Sequence, residues 1–244
     1  MRTYSAKEEF LKSLRLNRPV IVLAAVVTAA TLVMYIFQLI NNDVTITLQM
    51  SPSTPWGVFT SILLHRSWDH LLANIGALWG FTSYILLSIS LVPDSERKGR
   101  AVSFVPVVVG SAVTADALWA LAFQIVNPNI QFASVGASGL VFAVGGAALG
   151  LAVENIQDAA LRARTVPEMP RRKIRGVILV NAIVVGFFLS MLLAAPDIFL
   201  SRTPGSNVFV HGVAFLLAFG LVVTRKHITS LLHARYLSHA ADGR

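Results

Sequence analysis

Long apolar runs alternate with short polar ones along almost the whole chain. A helix crossing the hydrocarbon core of a bilayer needs about 20 mostly apolar residues. Six stretches reach or approach that length, over residues 19–40, 70–92, 101–126, 138–153, 174–195 and 207–224. The fourth is the shortest, and its small residues are spaced for packing. Gly139, Ala143 and Ala147 recur every four positions, as do Gly146 and Gly150, and small residues at that interval let helix backbones approach closely. The pattern predicts an all-α integral membrane protein, a bundle of six transmembrane helices with the fourth at its centre. A six-helix domain over residues 19–225 would be flanked by tails at 1–18 and 226–244.

Composition agrees with this reading. Hydrophobic residues make up 55% of the 244 positions and charged residues 13%, and the mean hydropathy is +0.68, above the balance of a soluble domain. The formal charge of +8 raises the question of nucleic acid, but the basic residues fall in short blocks between apolar runs rather than along one surface, so no nucleic-acid partner is expected. Of the 20 Lys and Arg residues, only Arg66 and Arg202 fall in the first, third or fifth connection. The rest lie in the tails and the even-numbered connections, which predicts that both termini are cytoplasmic. The first apolar run is long enough to span and lacks a small-residue cleavage site, so it is expected to be retained. Arg171-Arg172-Lys173 is expected to anchor against anionic lipid. The chain has no cysteine, and therefore no disulfide or thiolate metal site.

Three helix starts carry polar residues where hydrocarbon would otherwise be. Ser138 lies in Gly136-Ala137-Ser138-Gly139 at the mouth of the fourth span, and His211 opens the sixth. With cytoplasmic termini both lie near outer helix ends, at similar depth. The second span begins Leu64-His65-Arg66-Ser67-Trp68-Asp69-His70, with Asn74 one turn further on. His70 and Asn74 share a helix face, with Ser67 or Asp69 available to cap the start. His65 would stand about 140° from His70 on an ideal helix, so it is assigned to the loop, and the spacing argues against a zinc pair. A serine hydroxyl needs a histidine to take its proton, and the tetrahedral intermediate needs donors for its oxyanion. Ser138 and His211 fit the first roles. The Ser138 N–H with the His70 and Asn74 side chains fits the second.

These motifs, with Trp56 ahead of the histidines, resemble those of the rhomboid family of intramembrane serine proteases over residues 19 to 225. The resemblance implies a six-helix core with a Ser138–His211 dyad and an oxyanion hole of Ser138, His70 and Asn74. Gly136, Gly139, Phe142 and His65 would support the site, and the first loop would be partly embedded in the outer leaflet. It implies cleavage of single-span membrane proteins in the cell membrane with no metal or cofactor. It leaves the oligomeric state open. Three positions depart from the family pattern. Ala214 and Ala218 stand where two glycines usually follow the base, predicting a slightly wider gap between the fourth and sixth helices. Phe142 keeps an aromatic ring one turn after the nucleophile without a hydroxyl, and Trp56-Gly57 replaces a Trp-Arg pair.

Other readings remain. A catalytically silent relative would bind membrane-protein clients, although such relatives generally lack the serine or the histidine. A transporter would be expected to show internal repeats with broken helices, and none is found. Asp116, in mid-bilayer, is expected to make an interhelical hydrogen bond rather than to complete a triad. His227, His233 and His239 read as solvated or lipid-facing. The weakly charged third and fifth connections, the latter with Pro196, Pro204 and Gly205, suit a movable cap.

Overall fold

The computed structural model describes residues 11–12, 14–41, 43–90, 94–127, 132–165, 171–194 and 207–242, with only the backbone described at 94–97, 165, 173 and 226–242. The fifth connection, with Pro196, Pro204 and Gly205, lies outside these residues, as do the side chains of His227, His233 and His239. Helices α1 (Arg18–Ile40), α4 (Trp68–Ser90), α5 (Asp94–Val126), α6 (Ser138–Thr165), α7 (Arg171–Ala194) and α8 (Val208–Asp242) form the bundle. Between α1 and α4 the chain makes two short helices, α2 (Asp43–Leu48) and α3 (Gly57–Thr60), the latter running into a 3₁₀ turn at Ser61–Leu63. Among the described residues six helices are long and apolar enough to cross a membrane. The protein is a multi-pass integral membrane protein.

Burial places α6 at the centre. Of its most apolar stretch 78% is buried, against 39% or less in every other span. Its glycines make this possible, since a Cβ on Gly146 would run into the Phe215 backbone of α8, and one on Gly150 would meet Val222 Cβ at 2.9 Å. Ala214 and Ala218 of α8 are fully buried. The close approach of α6 and α8 is therefore carried by glycines on α6. Because each span crosses once, α4, α6 and α8 all begin at the same end of the bundle, and their first turns lie together there.

The fourth span is not short. It continues to Arg164 because the polar residues that end the apolar run are themselves buried. Arg100 of α5 donates to Glu154 (3.3 Å), Asn155 (3.0 Å) and Asp158 (3.0 Å) of α6, and Arg225 of α8 donates to Glu154 (2.6 Å). Asn155 continues the network to Ser88 of α4 at 2.7 Å, and the Tyr84 hydroxyl donates to Asn181 of α7 at 2.7 Å. Arg100 is only 5% exposed. Arg100 and Arg225 were counted above as topology signals; both serve as internal partners of buried carboxylates, tying the bundle together at the end opposite Ser138.

The segment before α4 is built onto the chain that leads into α6. Met50 and Ser134 exchange backbone hydrogen bonds of 3.0 and 2.9 Å, and the Gly136 N–H donates to the Ser61 carbonyl at 2.9 Å. Trp56 donates its indole N–H to the Thr47 carbonyl at 2.9 Å. Gly57, the departure from Trp-Arg, has a local reason: its Cα faces the Gln49–Met50 backbone, and any Cβ there would collide with it.

Candidate active site

Ser138, His70, Asn74 and His211 each sit in the first turns of a helix. Ser67 caps α4 by accepting from the His70 N–H at 3.2 Å, which fixes where the helix starts and hence which face His70 and Asn74 share. Ser138 is the first residue of α6, so its N–H has no carbonyl one turn earlier in the helix, and it makes no hydrogen bond among the described residues. Asn207 caps α8 by accepting from the Val210 N–H at 3.2 Å, setting His211 in the first turn. The positive ends of three helix dipoles face one region, which favours negative charge there.

Gly136 shows how close Ser138 and His70 are. Its φ of 131° lies in the region that side chains rarely adopt. A Cβ built there would stand 3.0 Å from His70 Cε1 and 3.6 Å from both His70 Nε2 and Ser138 Oγ. The bare glycine is what leaves space between the hydroxyl and the imidazole. Gly139 acts in the same way one residue beyond Ser138, where a Cβ would press on Val210 Cγ1 at 2.9 Å.

His211 reaches the same place from α8. Its ring stacks on Phe142, one turn below Ser138, with centroids 4.3 Å apart and planes within 7°. The ring is 8% exposed and its Nδ1 has no hydrogen-bond partner among the described residues. Among the described residues no carboxylate orients this imidazole, and the Phe142 face takes that role. Ser138 and His211 form no hydrogen bond in this structure. Asp116 is buried on α5, and the interhelical hydrogen bond expected for it is not formed among the described residues.

His65 is in the loop as expected, but it does not face away from His70. The two rings meet edge-on at 5.2 Å, because a helical angle does not govern a residue that precedes the helix. His65 is 2% exposed, and its Nε2 lies 3.1 Å from the Asn74 side-chain nitrogen. With the amide as donor, Nε2 accepts, and the imidazole must carry its proton on Nδ1. Burial, and secondarily the His70 charge, push His65 down to about 4 against a smaller opposing effect of the Leu63 carbonyl. The ring is thus neutral at neutral pH. Since the folded-state value lies below the unfolded one, acidification through about 6.5 penalises the fold increasingly until His65 protonates near 4.

Sequence reading missed Gln38. It is a buried residue of α1 that accepts from the His65 N–H at 3.0 Å and donates to the His65 carbonyl at 3.2 Å. A lone glutamine near the end of an apolar run was its only signal. Among the described residues no three His, Cys, Asp or Glu side chains gather as metal ligands would.

Comparison with protein families matches residues 52–224 to the rhomboid domain, the greater part of the chain and all three helix starts described above. No curated protein matches the sequence.

Proposed function

The chain belongs to the rhomboid family, most of whose members are serine proteases, and we propose that it is itself an intramembrane serine endopeptidase working through a Ser138–His211 dyad. The observation that carries this reading is the Phe142–His211 stack, which holds an imidazole one turn from a serine at a helix start. His211 takes the proton as Ser138 Oγ attacks the scissile carbonyl carbon. The oxyanion that forms is met by the Ser138 N–H and the His70 and Asn74 side chains. His211 then gives the proton to the leaving amine, and water repeats the sequence on the acyl-enzyme.

Single-span membrane proteins of the cell membrane are the substrates of this reading. Both termini are cytoplasmic, as the basic residues of the tails and even-numbered connections indicate. Substrate enters sideways from lipid beside α7. The exposure of that helix supports this path, since only 11% of its most apolar stretch is buried. Exposed Ile46, Trp56 and Phe59 suit a first loop partly sunk in the outer leaflet.

The absent Ser138–His211 hydrogen bond favours a second reading, a catalytically silent protein that binds clients. Catalytic hydrogen bonds are often long without substrate and tighten in the complex. Purified protein in liposomes, given a labelled single-span substrate, separates the two. Time-dependent appearance of two fragments supports the protease; stoichiometric binding without fragments overturns it.

Gly136→Ala gives a second check. The new methyl strains a backbone at φ 131° and presses on His70, at a cost of about 1–3 kcal/mol. Cleavage should fall at least about tenfold while the helices remain formed, since about 1.4 kcal/mol misplaced in the transition state already costs that much. Full activity would mean that His70 and Ser138 need no such gap.

A further inference from the structure

Resting on the protease reading above, we infer that Gln38, in the first transmembrane helix, is a positioning residue for the oxyanion donor Asn74 and acts on it through His65. The argument begins with the backbone. The chain between α3 and α4 is irregular at residues 64–67, and irregular backbone near membrane depth must find partners within the protein. At His65 both backbone groups find one side chain, since Gln38 is acceptor to the N–H and donor to the carbonyl. No other neutral side chain of that length offers both groups on one planar end.

A two-point clamp of this kind fixes the His65 peptide in position and in rotation. The same Gln38 nitrogen also reaches Thr45 Oγ1 at 2.9 Å, which holds the amide from turning over. The His65 side chain passes the constraint on. Its Nε2 meets the Asn74 amide at 3.1 Å, and its edge packs on the His70 ring. Asn74 has two N–H groups. With one engaged by His65, the other is held in a set direction, as an oxyanion donor must be before reaction begins. Gln38 touches neither substrate nor reacting atoms, and its effect on the reaction runs through two intermediates.

The variant Gln38→Met keeps length and volume and removes both hydrogen bonds to His65 together with the one to Thr45. Measured on the full chain in liposomes, it should lower kcat about tenfold, a fraction of what loss of a whole oxyanion donor costs, with KM moved less than about twofold because substrate contacts are untouched. In an Asn74→Ala background the same change should cost less than about twofold, since a group acting through Asn74 has nothing left to position. Gln38→Glu, which keeps the acceptor for the His65 N–H, should fall between wild type and Gln38→Met. If Gln38→Met does not fold, by thermal unfolding, Gln38→Glu carries the same cycle. An undiminished penalty in the Asn74→Ala background, or a rise in KM at constant kcat, overturns the inference while the protease reading stands. A wild-type protein without turnover would fail the protease reading instead.

Discussion

Ser138→Ala and His211→Ala should each reduce cleavage of a single-span substrate by about 10⁴-fold or more, and the double variant should be no slower than the worse of the two. Residues that act as one catalytic unit are strongly non-additive, because removing either already removes proton transfer and nucleophilic attack together. Neither change should unfold the protein. Ser138 is the first residue of α6 and takes no part in a hydrogen bond between described side chains, and His211 leaves behind a Phe142 face rather than a broken network. The check is single-turnover cleavage in liposomes, alongside labelling of Ser138 by a small serine-reactive phosphonate. Ser138→Ala should take up no label and His211→Ala very little. A double variant far slower than either single one would mean that the two side chains work independently, and the dyad would be lost as an explanation.

The largest effect on stability should come from the opposite end of the bundle. Glu154 is 3% exposed, and one of its oxygens receives both Arg100 and Arg225. Removing one partner from a buried ionic cluster costs about 3–5 kcal/mol, here because Arg225 loses the Glu154 carboxylate and the 5%-exposed Arg100 is left with Asp158 as its carboxylate partner. Glu154→Ala should therefore lower the unfolding midpoint in detergent sharply, and catalytic rates per folded molecule should change little. Replacing Arg100, Glu154 and Arg225 together with apolar residues of similar size should cost much less than Glu154→Ala alone, since Asp158, which loses Arg100, is 20% exposed and can be hydrated. An equal or larger loss in the triple variant would mean that the cluster contributes net attraction beyond the neutralisation of its own members.

Those two ends of the molecule were unequally legible in the sequence. At the Ser138 end the chemistry is local to helix starts. Gly136, Ser138, His70 and His211 announce themselves as polar or small residues at the edges of apolar runs, and Ser67 marks where α4 begins. The far end was misread for a definite reason. Hydropathy treats Glu154 and Asp158 as the limit of a span, and a count of basic residues treats Arg100 and Arg225 as loop charges, although each pair hides the other from lipid. Pairing across helices is a property of three dimensions, and no window along the chain registers it. The same holds for His65, whose contact with His70 follows from a bend before α4 rather than from a five-residue interval. Gln38 and Gly57 have meaning only through backbone groups elsewhere in the chain, at His65 for the first and at Gln49–Met50 for the second. By contrast, the central place of α6 was readable, because small residues four apart state their own purpose.

Helix α7 is attached in two different ways along its length. Asn181 is fully buried and bonded to Tyr84, while the next strongly buried side chain, Phe188, is held by ring contacts with Phe81 at 5.5 Å and Phe215 at 5.6 Å. From Asn181 to Ala194 a straight helix extends about 20 Å. The helix is thus a lever with its fulcrum near the middle and a weak catch part-way along the arm beyond it. Tilting it by about 10° would carry its far tip roughly 3 Å sideways at that rise per residue, releasing only the aromatic catch and none of the polar joint. Bilayer thickness sets the preferred tilt of a long apolar helix, so the surrounding lipid would have mechanical leverage over how readily the Ser138 end of the molecule parts.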